Sequence, residues 1–91
     1  MANEAAIEAS IVSWAEGAGW LSRKVQWIGR RGAPDRVFAR RGTVLFFEIK
    51  DPDGDLSLVQ CKETWRMAQA GIHVFVLDSS EEAIDVLRSF A

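Results

Sequence analysis

The feature that most constrains the fold is the segment 43–50, Thr-Val-Leu-Phe-Phe-Glu-Ile-Lys, which is apolar at successive positions until its end. Side chains of a β-strand point alternately to the two faces of a sheet. A strand that is apolar on both faces must therefore be covered on both, so this segment predicts a central strand between layers of helix.

Other extended segments surround it. Residues 36–40 and 43–50 predict a hairpin around Arg41-Gly42, because two β-patterned runs are separated by a glycine turn. Further strands are predicted over 21–28 and 72–77, and a loop over 29–34. Strand, helix and strand over residues 43–77 predict a right-handed crossover to a parallel neighbour.

Three amphipathic helices complete the pattern. The first is expected over about residues 4–17, and the others begin at the capping sequences that start at Ser57 and Ser79. Their buried stripes are predicted to be Ile7, Ile11, Trp14 and Ala18; Leu58, Cys61, Trp65 and Ala68; and Ala83, Val86, Leu87 and Phe90. The order α-β-β-β-α-β-α defines an α/β class with a mixed central sheet flanked by helices.

Length and composition limit the classes of protein that remain. The 91 residues predict one domain over 1–91, and 48% hydrophobic with 26% charged residues is an ordinary globular composition. No apolar run approaches the ~18 residues of a membrane span, so no membrane partner is expected. The single Cys61 and the absence of a basic leader before Glu4 favour a reducing, cytoplasmic location.

The charge is distributed unevenly along the chain. Residues 23–41 contain seven basic residues and one acid, whereas the remaining residues contain four bases and twelve acids. This polarity predicts a positive surface for an anionic partner, although a solvated arginine-rich hairpin is the simpler alternative.

A candidate metal site lies at the end of the central strand. Glu48 and Lys50 are two residues apart and so share a face, and the hairpin brings Asp35 beside the same strand end. Asp35 and Glu48 would suit Mg²⁺ or Mn²⁺, which prefer carboxylate oxygens, and Lys50 would orient a water or offset charge. A strand-end ion pair and a turn residue are the plainer alternatives.

The order of these motifs resembles the PD-(D/E)xK nuclease superfamily, and in particular the stand-alone VRR-NUC proteins of phages and bacteria, relatives of Holliday-junction resolvases. The resemblance covers nearly the whole chain. It is carried by Ile7-Glu8, Gly29 to Arg36, Phe47 to Lys50, Leu56 to Gln60 and Gly71 to Val76. It implies a restriction-endonuclease-like core and a Mg²⁺- or Mn²⁺-dependent DNA endonuclease, structure-selective for Holliday junctions or other branched DNA. It also implies a homodimer acting in recombination and repair in a bacterium or phage-infected cell.

The same resemblance assigns roles to individual residues. Asp35, Glu48 and the Ile49 carbonyl would be metal ligands, Lys50 the catalytic lysine, and Glu8 the helical carboxylate that completes the site through metal or water. Glu4 remains an alternative to Glu8. Gln60 would face the same cleft, although its place in a capping box explains it equally well.

The basic segment would supply the DNA contacts. Lys24, Arg30, Arg31 and Arg36 are expected to bind backbone phosphates. Trp27 is a candidate for stacking on an unpaired base, Trp14 and Trp65 are expected in the core, and Trp20 is left open. The acidic turn of Asp51, Asp53 and Asp55 is unusual for the family, and would limit DNA approach or add an outer metal site. An inactive DNA-binding module of the same fold, or a structural protein without a DNA role, are the other functions considered.

Overall fold

The computed structural model describes residues 3–90. Its elements follow the predicted order, which is thereby confirmed. They are α1 (Glu4–Gly17), β1 (Leu21–Lys24), β2 (Arg36–Arg40), β3 (Thr43–Ile49), α2 (Leu58–Gln69), β4 (Val74–Leu77) and α3 (Ser80–Ser89). Among the described residues, no helix is long and apolar enough to cross a membrane.

The sheet has four strands in the order β1-β2-β3-β4. The first three strands pair antiparallel, and β3 pairs parallel with β4 through the crossover that contains α2. Arg41 and Gly42 join β2 to β3 with φ of 50° and 86°, and two positive φ values in succession suit the twist of a tight hairpin. The predicted mixed sheet is confirmed.

The main core lies on the face of the sheet that carries α1 and α3. Leu45, Phe47 and Ile49 of β3 are buried there, and the Phe38 and Phe47 rings lie 4.9 Å apart. Phe46 and Glu48 point to the opposite face, where α2 lies. The central strand is therefore covered on both sides, as its apolar run predicts.

The first strand is shorter than predicted. It ends at Lys24 rather than residue 28, although Val25 N–H still donates to Asp35 O at 3.0 Å. Beyond this bond the chain leaves the sheet, because Trp27 and Arg30 bind Glu63 of α2. The fourth strand begins at Val74 rather than 72, since Ile72 N–H instead donates to Met67 O at the end of α2.

The predicted buried stripe of α2 is wrong. Leu58 and Trp65 are 69% and 64% exposed, and Cys61 and Ala68 are exposed as well, whereas Glu63 and Met67 are buried. The helix is rotated because its polar residues have partners in the protein: Gln60 bonds to Glu48, and Glu63 bonds to Trp27. These side-chain contacts, rather than apolar burial, select the inner face of α2.

The other two helices agree with their predicted stripes. Ile7 and Ile11 are buried in α1, and Ala83 and Leu87 in α3. Trp14 is half-buried against the core with the Arg88 guanidinium 5.3 Å from its ring centroid, and Trp20 is buried. Trp65 is therefore the tryptophan whose predicted core position is wrong.

The rotation of α2 predicts unequal losses of stability for substitutions at two apolar residues on this helix. Met67→Ala removes a buried side chain and should lower the free energy of unfolding by about 2–5 kcal/mol. Trp65→Ala removes a larger but mostly exposed side chain and should change it by about 0.5 kcal/mol. Urea unfolding followed by circular dichroism measures both, and a greater loss for Trp65→Ala would contradict this orientation of α2.

Candidate functional site

Asp35 is fixed at the end of the central strand by three hydrogen bonds. Its backbone N–H donates to Phe47 O at 2.9 Å, and its carbonyl accepts from Val25 N–H. Its side-chain Oδ2 accepts from the backbone N–H of Ile49 at 2.7 Å. Because Phe47 and Ile49 flank Glu48, these bonds place the two carboxyl groups side by side.

Glu48 is an acid in a buried position, with 1% of the residue exposed. Its carboxyl group lies within hydrogen-bonding reach of that of Asp35. Burial, and then the neighbouring charges of Asp35, Glu4 and Glu8, raise the pKa of Glu48 to about 8. Oε2 is buried and accepts no hydrogen bond from residues 3–90. A buried carboxylate oxygen without a partner would be stabilised by a cation or by a hydrogen-bond donor.

Gln60 serves the helix cap and the site at once. Its Oε1 accepts from Ser57 N–H at 2.8 Å, while Ser57 Oγ accepts from Gln60 N–H at 3.2 Å, so the predicted capping box is present. Its Nε2 donates to Glu48 Oε1 at 3.2 Å. The cap fixes which end of the amide faces the site, and both interpretations of Gln60 describe real contacts.

Glu8 of α1 is bound by two cations of the sheet, and its charge also acts on Glu48. It accepts hydrogen bonds from Lys24 Nζ at 2.8 Å and Arg36 Nε at 2.6 Å, side chains that are neighbours across β1 and β2. Burial alone would raise the pKa of Glu8, but these two cations outweigh it and hold the pKa below its usual range. Two of the four predicted phosphate-binding cations are therefore paired with Glu8.

Glu4 and the acidic turn also meet near the site. Burial, followed by the charges of Asp35 and Asp51, raises the pKa of Glu4. The backbone N–H of Glu4 donates to Asp51 Oδ1 at 2.7 Å, so the turn caps the first turn of α1. Within the described part of the chain, no three His, Cys, Asp or Glu side chains are grouped closely enough to form a metal cluster.

Lys50 follows Glu48 along the strand, but its ammonium group is bound to the turn. Nζ donates to Gly54 O at 2.8 Å and to Asp51 O at 3.3 Å, and lies 3.8 Å from Asp78 Oδ2. The side chain is only 26% exposed. Lys50 is thus placed beside the carboxylates by its backbone and directed towards the turn by its side chain.

The two adjacent carboxyl groups suit a divalent cation. Burial, followed by the adjacent Asp35, disfavours the charged form of Glu48 and raises its pKa, and a cation between the two carboxyl groups would favour that charged form. Glu48 Oε2 offers a lone pair that no described residue uses. Oxygen ligands of this kind are those that Mg²⁺ and Mn²⁺ prefer.

A second buried acid, Glu63, anchors the basic loop of residues 25–35 to α2. Trp27 Nε1 donates to Glu63 Oε2 at 2.7 Å, and Arg30 Nη2 lies 3.2 Å from Oε1. Gly32, with φ of 93°, packs so closely that a Cβ there would lie 2.8 Å from Val59 O. The role of Glu63 is not recognisable from the sequence, because an isolated acid on a predicted helix has the pattern of a solvent-facing residue.

The anchored loop forms one wall of a cleft that also includes Gln60, the residue that contacts Glu48. The cleft measures about 380 Å³. The loop and α2 line it through Arg31, Gly32, Ala33, Ser57, Val59 and Gln60. Since Gln60 touches Glu48, an anionic ligand in this cleft would have Arg31 on one side and the site on the other.

Comparisons with known proteins identify the class to which this fold and site belong. The chain is similar to a solved structure described as a VRR_NUC domain, with 29% sequence identity, a TM-score of 0.86 and 97% of each chain covered. It is also 37% identical over 79 residues to "Putative nuclease p44" of Acyrthosiphon pisum secondary endosymbiont phage 1, covering 86% of this chain and 85% of p44. No family model matches the chain.

The chain belongs to the VRR-NUC family. The family resemblance and the fold expected from the sequence are thereby confirmed, and the match extends over both the sheet and the helices that position Asp35, Glu48 and Gln60.

The raised pKa of Glu48 predicts a pH-dependent stability in metal-free protein. Between an ordinary pKa of 4.5 and about 8, the folded chain keeps a proton that the unfolded chain releases, so Glu48 makes the fold less stable as pH rises. Glu48→Gln removes this effect. In EDTA, the variant should match wild type near pH 5 and melt at a higher temperature at pH 8.

Glu81→Gln is the matched control, because Glu81 is exposed on α3. Its melting temperature relative to wild type should change little over the same pH range. A difference between wild type and Glu48→Gln that stays constant from pH 5 to 8 would contradict the buried, protonated state of Glu48.

The contact of the loop with α2 predicts a contrast between two glycines. Gly29 has φ of 81° and open space around it, so Gly29→Ala should cost only the ~1–2 kcal/mol of the left-handed backbone. Gly32→Ala adds a clash with a backbone oxygen and should cost at least about 1 kcal/mol more. Urea denaturation provides the values, and equal losses would show that the loop does not press on α2.

Proposed function

We propose that this chain is a divalent-metal-dependent DNA endonuclease, a single nuclease domain over residues 1–91 that hydrolyses phosphodiester bonds in branched DNA. The observation that carries the proposal is the pair of adjacent carboxyl groups of Asp35 and the buried Glu48. The Oε2 atom of Glu48 accepts no hydrogen bond from the described residues. Membership of a family whose phage relative is described as a nuclease supports the same reaction.

Asp35, Glu48 and the carbonyl of Ile49 are the proposed ligands of Mg²⁺ or Mn²⁺, with Glu8 acting directly or through water. The ion, when bound, would lower the pKa of a water and neutralise charge on the phosphate. Gln60 would keep the Glu48 carboxylate in one orientation through its hydrogen bond to Oε1. Asp35 is held by backbone bonds, so both proposed ligands are positioned before a metal arrives.

Lys50 is the proposed catalytic cation. Its four-carbon stem allows the ammonium to leave Gly54 O and turn towards a phosphate held at Glu48, where it would orient the attacking water or stabilise developing negative charge. In the absence of DNA, the bonds to the turn would then hold the Lys50 side chain in a resting position. The carbonyl of Asp51 and the nearby carboxylate of Asp78 would hold the ammonium group in that position.

The proposed DNA contacts are made by Lys24, Arg30, Arg31 and Arg36. Arg31 lines the cleft beside Gln60 and is exposed. Lys24 and Arg36 both bind Glu8, so their role would combine phosphate attraction with orientation of that acid. Contacts of this type give affinity that falls steeply with salt and carries little sequence preference.

The proposal includes a homodimer that presents two sites to paired strands of a branched substrate, such as a Holliday junction. The exposed apolar stripe of α2, with Leu58, Cys61 and Trp65, supports self-association, because a small monomer rarely leaves such side chains in water. A role in recombination and repair in the cytoplasm of a bacterium or phage-infected cell is consistent with the phage relative.

Cleavage of labelled DNAs tests the reaction and the substrate together. With Mg²⁺ or Mn²⁺, wild type should cut four-way and three-way junctions faster than linear duplex, and EDTA should stop cutting. Glu48→Ala and Lys50→Ala should each lower the rate by at least about 100-fold, because each removes a group that interacts with the reacting phosphate or its metal.

Glu81→Gln and Lys62→Ala are the matched controls, exposed residues of the same charge on α3 and α2, and should cut as wild type does. Salt-sensitive DNA binding with no cleavage under any divalent metal would instead identify an inactive DNA-binding module. The bonding of Lys50 to the turn is the observation that favours this second function. Absence of any DNA affinity would exclude both.

A further inference from the structure

The tip of the basic loop carries an apolar side chain that neither the fold nor the proposed chemistry uses. Ile28 is 100% exposed, the most exposed of the large hydrophobic residues in the described chain. It lies between Trp27 and Gly29 and is followed by Arg30 and Arg31. A side chain that meets only water contributes no burial to the fold, so it is free to contact a partner outside the chain.

The loop holds this side chain on a rigid base. Trp27, before it, is half-buried and donates to the buried Glu63, and Arg30, after it, pairs with the same carboxyl group. Gly29, with φ of 81°, reverses the chain between them. One acid on α2 therefore fastens the chain on both sides of Ile28 and leaves only the tip projecting.

The surroundings of the tip select nucleic acid as its partner. Arg30 keeps 55% of its side chain exposed and Arg31 is exposed, so the tip is flanked by cations that suit phosphates. Trp27, the residue first considered for base stacking, has its indole committed to Glu63. The apolar group that remains available to a base is Ile28.

The tip is also within reach of the candidate site. Ile28 lies seven positions before Asp35, and a chain of that length spans at most about 25 Å. That distance corresponds to about seven steps along one strand of DNA. Glu63, which fixes the loop, is one helical turn from Gln60 at the carboxylates.

We infer that Ile28 is a wedge that inserts between bases at a branch point of the DNA and thereby selects branched over linear substrates. Apolar side chains on architectural proteins enter base steps in this way and unstack them. At a branch point stacking is already interrupted, so insertion costs less there than in a continuous duplex. The inference rests on the proposed function, since it requires DNA as the partner.

Binding without metal separates this inference from the cleavage reaction. In EDTA, fluorescence anisotropy would compare a four-way junction with a linear duplex of the same arm sequence, and 2-aminopurine at the branch point would report unstacking. Wild type should prefer the junction and increase the 2-aminopurine fluorescence. Ile28→Ser should lower junction affinity by about ten-fold, leave duplex affinity unchanged and abolish the fluorescence change.

Ile28→Leu should retain the junction preference, because it keeps an apolar wedge of similar volume. Ile72→Ser is the matched control, since Ile72 is a partly exposed isoleucine just beyond the C-terminal end of α2, and should bind both DNAs as wild type does. Circular dichroism of each variant confirms that it is folded.

The inference is overturned if Ile28→Ser binds the junction as wild type does, or loses affinity for junction and duplex equally. It is also overturned if Ile28→Ser changes the oligomeric state in light scattering while the junction preference persists, which would assign the tip to a second copy of the chain. If wild type binds no DNA at all, both this inference and the proposed function fail. If wild type binds DNA but does not cleave it, the comparison of Ile28→Ser with wild type in EDTA still decides whether Ile28 acts as a wedge.

Discussion

The arrangement of the site depends on placing an acid inside the protein next to another acid. Glu48 sits on a strand that must be central because its other residues are apolar, so its carboxyl group is buried by the fold rather than by its own chemistry. Asp35 is fixed beside it by backbone bonds. Burial and the neighbouring Asp35 both disfavour the charged form of Glu48 and raise its pKa. The contact of Gln60 with Glu48 depends on this buried position of the carboxyl group.

Two polar contacts set the position of α2 and, with it, the shape of the site. Gln60 reaches Glu48, and one turn later Glu63 reaches Trp27, so the polar side of this helix faces inwards. The apolar side is left outside as a consequence. The same rotation fixes the basic loop beside the carboxylates, which gives an acidic site a positive border without bringing a cation into it.

The sequence predicts what depends on local pattern and fails where side chains act across the fold. Strand β3, the hairpin and the caps at Ser57 and Ser79 are recognisable because periodicity and turn chemistry lie within a few residues. The proximity of Asp35 to Glu48 follows from the hairpin register. The inner face of α2 does not follow, because apolar periodicity points to Trp65, whereas the hydrogen bonds of Gln60 and Glu63 decide. The short first strand has the same cause, since only the packed α2 reveals why the chain turns away after Val25.

The amide of Gln60 is used at both ends, and this restricts what evolution can place there. A carboxylate would still accept from Ser57 N–H but would add a third negative charge beside Glu48, and an ammonium would attract Glu48 but leave the cap without an acceptor. Asparagine is one methylene shorter and cannot span both partners. The start of α2 and the acidic pair thus share a single side chain, so mutational drift in one is tied to the other.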